Sequence, residues 1–528
     1  MSRSFSRRGQ WACVMAVMGA SLVTSAGAAE SAKDTPMTLQ AAITTTLARN
    51  SSVRISQSQA EFARAAVLSQ RGAFDWRAQA SVSHEKTNTP LSRSVINAYE
   101  LNGYNLTNNI GRVDSTNYSL QKQLESGIVL STSVTQLMSG TNLPSADDPP
   151  IPVSGSGSVV FKLNLPLLKG GLGTAALPLR SSELQAEAAR YDQEANVAQA
   201  IYLTATRYWS YLSGLQRLRI SQISEQRGEQ LLAEMERLVQ ANEVPRAELD
   251  LIRASLNDRR YSRIGAEQAV LGLRLALGRA LGLSAQEAER IGLPAESFPQ
   301  SSPGIDGLLR KGLIDLAEET TARRQEFIAL LRRTEANRAD LSYARNAALP
   351  QLDLSLSSTH NSLAELSRRP GYPYPGLFNH VAPPGHAIGV ILSYPLENNA
   401  AKGYIAQQQA LQQQIEIQRE ELTALVKSNV EQAAAAYTSS LVAITQLESS
   451  RRAYEVSLDN EKLKKGLGMS TLIDILNVED RLIGASLALN QAQLDHALAI
   501  VQVLFESGHI FNPSGGDYVA NLDALLGR

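Results

Sequence analysis

Two hydrophobic periods share this chain. In Val159, Phe161, Leu163 and Leu165 the apolar residues take every second position, with Lys162 and Asn164 between them; Ile388, Val390, Leu392 and Tyr394 repeat the pattern against Gly389 and Ser393. A period of two predicts strands, either half-buried in a soluble sheet or spanning a bilayer with lipid on one side and water on the other. Elsewhere the period lengthens. Tyr437, Leu441, Ile444, Leu447, Tyr454 and Leu458 recur at threes and fours inside a nearly breaker-free stretch from Lys402 to Lys465, and Thr174 to Gln240 reads the same way, with Pro178 only near its start. Each predicts a helix of about 60 residues, roughly 90 Å long, which no compact domain needs and which fits an antiparallel coiled-coil hairpin.

The whole pattern occurs twice. Ala48-Arg49 stands opposite Ala322-Arg323, Arg71 opposite Arg345, and Ala78, Ala80 and Val82 opposite Leu352, Leu354 and Leu356, all at an offset of 274; Leu165-Pro166-Leu167 then matches Tyr394-Pro395-Leu396 at 229, and Gly282 matches Gly508 at 226. Each copy reads helix, strand, strand, long helix, turn, long helix, the first helix running from Leu39 to Ala73 and its counterpart from Leu308 to Ala348. Between its first strand and its Leu-Pro-Leu the first copy is 45 residues longer. That excess predicts one extra hairpin, with Tyr118, Leu120 and Leu124 before a Ser126-Gly127 turn and Ile128, Leu130 and Val134 after it, followed by a Gly/Ser/Pro-rich loop from Ser139 to Ser158.

The segment LNLPLLKGGLGTAALPLR, Leu163 to Arg180, carries a GxGxxA pattern in Gly171, Gly173 and Ala176. A dinucleotide turn should follow a continuously apolar parallel strand and lead through a short helix to a second strand ending in an acid. Here the strand alternates, contains Pro166, and runs into some 65 helical residues. The stretch is better read as a joint: Pro166 has no N–H for a sheet ladder, while Gly170, Gly171 and Gly173 let the chain turn from strand to helix. Pro395 marks the same event in the second copy, where Glu397-Asn398-Asn399 replaces the glycines.

The N-terminus predicts export from the cytoplasm. Arg3, Arg7 and Arg8, an apolar middle and Ala26-Gly27-Ala28 have the layout of a cleaved secretory signal over residues 1–28, the Arg7-Arg8 pair being read as an ordinary basic start rather than a twin-arginine address. The single cysteine, Cys13, lies within it, which leaves no thiol chemistry to the mature chain. A net charge of -1 and 5% aromatic residues argue against a nucleic-acid partner. No later apolar run approaches the roughly 20 residues of a membrane helix, so an exported chain of this kind is soluble, held by a partner, or a β-barrel. Catalytic patterns are missing: the six histidines are scattered, and His380 and His386, flanking VAPPG, have the spacing of a chance surface pair. Neither an enzyme activity nor a cofactor or metal is expected.

The turns between long helices are the informative positions. The second copy has Lys464-Lys465-Gly466, then Gly468, Met469 and Ser470, with Asp474 inside the returning helix; in the first copy the turn holds Asn242, Glu243, Val244 and Pro245, and Glu248 stands in the place of Asp474. An acid in the first turn of a helix is also what the helix dipole favours on its own.

Two copies of helix, strand pair, strand-ending Pro-Leu, long helix, the turn Gly468 to Asp474 and returning helix resemble the TolC family of outer-membrane export ducts over nearly the whole mature chain. The resemblance implies a mixed architecture of α-helical coiled-coil hairpins and membrane β-barrel strands: a trimeric TolC-like α/β-barrel duct with duplicated halves at 29–283 and 308–510, a linker at 284–307 and a tail at 511–528. It implies a homotrimer in outer-membrane lipid, projecting into the periplasm and docked at its tip to a periplasmic adaptor and an inner-membrane pump of the RND or ABC type, as the passive duct of a tripartite efflux or type I secretion system. Strand number agrees, since four or six strands cannot close a membrane barrel that needs about eight. With three chains around a pore, Asp474 and Glu248 become rings of carboxylates. The family carries a second entrance acid where this chain has Asn477, and it has an aromatic and an arginine latch where this chain has Lys465 and Ser470. The adaptor would meet Asn242, Glu243, Val244, Pro245, Lys465, Gly466, Gly468, Met469 and Ser470. The alternative is a structural or adhesive periplasmic coiled-coil protein whose strands form a soluble sheet.

Overall fold

The computed structural model describes residues 36–144, 153–171, 173–241, 245–300, 303–310, 319–365, 381–514 and 517–527. In chain order it contains α1 (Leu39–Arg49), α2 (Ser51–Arg71), β1 (Arg77–Pro90), α3 (Arg93–Leu101), β2 (Asn108–Gln123), β3 (Val129–Thr141), β4 (Val153–Pro166), α4 (Leu177–Gln240), α5 (Arg246–Ala280), α6 (Ala285–Ala288) and α7 (Pro303–Arg310). After these come α8 (Gln325–Ala347), β5 (Gln351–Glu365), β6 (Gly385–Ser393), α9 (Asn399–Gly466), α10 (Leu472–Glu506), β7 (Phe511–Ser514), β8 (Asp517–Ala520) and α11 (Leu522–Leu525). The expected signal segment lies outside the described residues.

The long helices match the sequence reading, with 64 residues in α4 and 68 in α9, each returned by a helix of 35. The first helix differs, because Asn50 divides it. Its backbone is extended, its Oδ1 accepts from the N–H groups of Ser52 and Val53, and its Nδ2 donates to Ala280 O at 2.7 Å, so a side chain suited to capping restarts the helix in a new direction. The same interruption recurs 274 positions later at Arg324, also extended, between a helical turn at 319–323 and α8.

All six long strands form one antiparallel sheet in the order β1-β2-β3-β4-β5-β6, with β1 and β6 as open edges. The extra hairpin is β2–β3 and lies inside this sheet, between β1 and β4, closed by Gly127 in the left-handed region (φ 93°). The expected loop from Ser139 to Ser158 is shorter than its composition suggests. Ser154, Gly155, Ser156 and Gly157 pair with β3 on one side and β5 on the other, because a ladder needs backbone groups rather than bulky side chains.

Below the sheet the helices stand in a row. α2 packs on α4, α4 on α8 and α8 on α9, and these four connect to the feet of β1, β4, β5 and β6 respectively. Farther along, α4 and α5 form one antiparallel hairpin and α9 and α10 another, joined where α10 packs on α4. The main core sits midway: Tyr208 and Trp209 of α4, Tyr437 of α9, and Ile500 and Leu504 of α10 are fully buried there. Residues past 510 belong to this collar, since Phe511 and Leu525 are buried in the same core.

Candidate functional site

The sheet separates its side chains by chemistry. On one face stand Tyr118, Leu120, Leu130, Val134, Phe161 and Leu163, continued by Leu356, Ile388 and Val390 in cross-strand register. On the other stand Ser119, Ser131, Ser133, Lys162, Asn164 and Ser357. A soluble half-buried sheet would cover its apolar face with another layer. Here that face is bare, with Phe161 54% exposed, Ile388 77%, Val390 64% and Leu392 68%. The apolar band has polar margins: Lys122 lies 5.3 Å from the centroid of Trp76 at the joint end, and His84 Nδ1 meets Asp114 Oδ1 at 2.6 Å at the far end.

The strand-helix joint explains the glycines. β4 ends at Pro166, and the last ladder bond comes from Leu167 N–H to Leu352 O at 2.7 Å. Gly170 and Gly173 hold φ near +80°, and a Cβ on Gly171 would lie 2.3 Å from Pro166 O. Asn346, at the end of α8, staples the turn: its Oδ1 accepts from Gly170 N–H (2.7 Å) and Thr174 Oγ1 (3.1 Å), and its Nδ2 donates to Leu168 O (3.3 Å). Among the described residues of this loop, the N–H groups of Gly170, Gly171, Gly173 and Thr174 already donate within the protein, to Asn346 Oδ1, Leu168 O, Ser126 O and Gly171 O, and so are not offered to a phosphate. In the second joint β6 ends at Ser393, two residues before Pro395, and Asn398 supplies the left-handed residue (φ 47°) while donating to Ala348 O at 2.9 Å. No spacing in the sequence connects Asn346 with Gly170, so this staple was not legible.

At the opposite end, the helix turn 466–471 is built from local hydrogen bonds. Gly468 is left-handed (φ 72°), its N–H donates to Lys465 O, and Met469 N–H donates to Lys464 O, a helix stop of the Schellman kind. Thr471 then caps α10: its Oγ1 accepts from Asp474 N–H, while Asp474 Oδ2 accepts from Thr471 N–H (3.0 Å) and Oγ1 (2.7 Å). Asp474 is therefore a capping-box acid, and these bonds to Thr471 hold its carboxyl below the usual range. Asn477 is exposed one turn on. Glu248 lies half-buried in the first turn of α5, whose Pro245 cap accepts from Glu248 N–H at 3.2 Å.

Leu249 and Ile252 of α5 pack with Leu472 and Leu476 of α10, so both acidic turns are at the same end of the molecule. Gly466, Gly468 and Met469 are exposed there, and Ser470 donates to Glu461 Oε2 at 2.6 Å. Lys465 pairs with Glu234 of α4, tying the two hairpins together. Asn242, Glu243 and Val244 lie outside the described residues. The sequence reading also missed Glu461, whose carboxyl is held low chiefly by Lys464 and which feels the Asp474 charge.

A buried ion cluster sits just above the tip. Arg259 of α5 donates to Glu479 Oε2 (3.0 Å) and Asp480 Oδ1 (3.2 Å) of α10 and to Ser224 O (3.1 Å) of α4, and the Arg259 and Glu479 side chains are each only 6% exposed. It fastens one hairpin to the other. Among the described residues no group of three or more His, Cys, Asp or Glu side chains is placed to hold a metal ion.

No protein-family model and no curated relative matches this sequence. Solved structures do match. The CmeC outer-membrane channel of Campylobacter jejuni superposes with a TM-score of 0.62 at 14% identity, over 89% of this chain and 85% of CmeC. The outer-membrane protein VceC of Vibrio cholerae gives 0.63 at 14% identity, over 89% and 96%. The open-state MtrE outer-membrane channel of Neisseria gonorrhoeae gives 0.59 at 16% identity, over 89% and 88%. With nearly the full length matched in each case, the fold of this chain is that of the TolC-like outer-membrane channels.

Proposed function

We propose that this chain is the protomer of a homotrimeric outer-membrane duct, passive in itself, that conducts solutes through the tunnel of its long helices and the barrel of its strands. The bare apolar face of the sheet carries the reading. An uncovered band of Phe, Leu, Ile and Val backed by a serine-rich face is stable where lipid wets one side and water the other. The open edges β1 and β6 need partners in lipid, and three copies pairing edge to edge supply them. The two halves, with their interruptions at Asn50 and Arg324 and their equal returning helices, support a duplicated protomer in which the helices line the tunnel twice per chain.

Asp474, Asn477 and Glu248 then face the narrow end as three-fold rings, Asp474 and Glu248 bringing carboxylates and Asn477 a neutral polar group. The surrounding tip, from Pro245 and from Lys465 to Ser470, meets a periplasmic adaptor and through it an inner-membrane pump of the RND or ABC type, for efflux or type I secretion. Channel recordings of the purified protein in planar bilayers test the reading. A cation-selective conductance blocked by multivalent cations from the tip side is expected, and protein that fractionates as soluble and never conducts would refute it.

A further inference from the structure

Strands β1, β4, β5 and β6 each connect to a helix below the sheet, so the width of the sheet bears directly on that of the helical row. Four helices stand side by side below the sheet, α2, α4, α8 and α9. At 8–10 Å between axes they cover an arc of about 36 Å. Strands about 4.8 Å apart and tilted about 40° each take up about 6.3 Å of circumference. Four strands cover about 25 Å and six about 38 Å, so six come closer to the arc of the four helices below them. The inserted hairpin makes up the difference.

Three observations place that hairpin in the wall. Its ladders are continuous, β1 pairing β2 from Arg77 to Pro90 and β3 pairing β4 from Val129 to Gly140. Its side chains sort as their neighbours do, with Tyr118, Leu120, Leu130 and Val134 on the apolar face and Ser119 and Ser133 on the polar one. Its turn is docked on the joint: a Cβ on Gly127 would lie 2.0 Å from Gly170 O and 3.1 Å from Pro166 Cγ. The glycines at 127 and 170 are thus two sides of one contact, between the foot of the hairpin and the strand-to-helix turn.

Resting on the trimer reading above, we infer that the barrel has eighteen strands, six from each chain, and encloses an open water-filled lumen that does not sieve its cargo by size. The radius is about 18 Å at the backbone, against about 12 Å for twelve strands. With about 5 Å of side chain on each side, the lumen is about 26 Å across. Among the described inward positions Arg77, Glu85, Lys162 and Asp353 are charged, two of each sign, while Gln79, Asn117, Ser131, Ser133 and Ser357 between them are uncharged. A polar, hydroxyl-rich wall of this width, with its few charges balanced in sign, accommodates hydrated polymers such as a polypeptide segment, and leaves selection to the tip.

Spin-label distances measure the radius directly. Ser358 lies on the apolar face between Phe161 and His386, so a nitroxide on Ser358→Cys in a Cys13→Ser background points away from the lumen. In detergent-solubilised trimers the three equivalent Cα atoms should be about 31 Å apart in an eighteen-stranded barrel and about 21 Å apart in a twelve-stranded one, the label lengthening both alike. The longer distance is expected. A trimer giving the shorter one would put the hairpin outside the barrel and overturn the inference alone, whereas a monomeric protein with no intermolecular coupling would overturn the trimer reading beneath it. Val159→Cys, on the neighbouring strand and the same face, repeats the measurement if Ser358→Cys does not assemble.

Discussion

Placing an arginine on the apolar face separates a lipid-facing sheet from a water-facing one. Phe161 is four residues above Leu165 at the foot of β4, about 13 Å along the strand and, at a 40° tilt, about 10 Å above the joint. Half of an apolar band about 25 Å tall is about 12 Å, so in the proposed barrel Phe161 would lie close to the bilayer midplane and Leu165 close to its edge. Phe161→Arg should therefore cost about 2–4 kcal/mol per chain, about 6–12 for three, and Leu165→Arg only about 0–1 per chain. Ser133→Arg, on the polar face, should cost nothing comparable. The assay is the yield of heat-modifiable oligomer in the outer-membrane fraction, followed by refolding into bilayers of defined thickness. In a soluble sheet, where Phe161 is already 54% exposed to water, the three variants would behave alike. Equal assembly of Phe161→Arg and Ser133→Arg would refute the assignment of that face to lipid.

The helical half makes its own predictions. Arg259→Ala should destabilise the joined hairpins by about 3–5 kcal/mol by leaving Glu479 buried without its main partner, as read from denaturant midpoints, and Glu479→Gln in the same background should recover part of the loss. Asp474→Asn keeps an acceptor for the Thr471 cap but removes the charge, so it should lose multivalent-cation block while retaining stability, whereas Asp474→Ala should lose both; equal block of wild type and Asp474→Asn would place the constriction elsewhere. His496 is fully buried, bonded to Ser440 Oγ at 2.9 Å and stacked on Tyr437, which bonds to Asp306; burial depresses its pKa more than the Asp306 charge raises it. The folded state then binds fewer protons than the unfolded one below about pH 6.5, so stability should fall as pH drops through that value, and His496→Gln should flatten the dependence.

Most of the architecture was legible because it follows from periodicity. The alternation in Val159 to Leu165 and the threes and fours from Tyr437 to Leu458 correspond to β4 and α9, and Ser126-Gly127 marked the turn of the extra hairpin. What escaped depends on contacts remote in sequence. Asn50 reads as an ordinary polar residue within a helical pattern until Ala280 O is seen to receive its amide, and Arg259 becomes distinctive only when Glu479, 220 residues away, is placed beside it. The short helix α3 was missed as well, because nine residues cannot establish a period against the strand signals on either side. At the tip, local chemistry had two readings. The structure shows the Thr471–Asp474 capping box in place, and the pore role of Asp474 rests on three-fold symmetry that one chain does not contain.

The mass of the protein extracted from membranes with mild detergent tests the central claim most directly. Light scattering corrected for bound detergent should give three copies of the 57.1 kDa chain, less any removed signal, with full β-sheet signal by circular dichroism and loss of both on boiling. A well-folded monomer that retains its full β content would contradict the account, because the edges of β1 and β6 would then be open in a protein that needs no partner to close them.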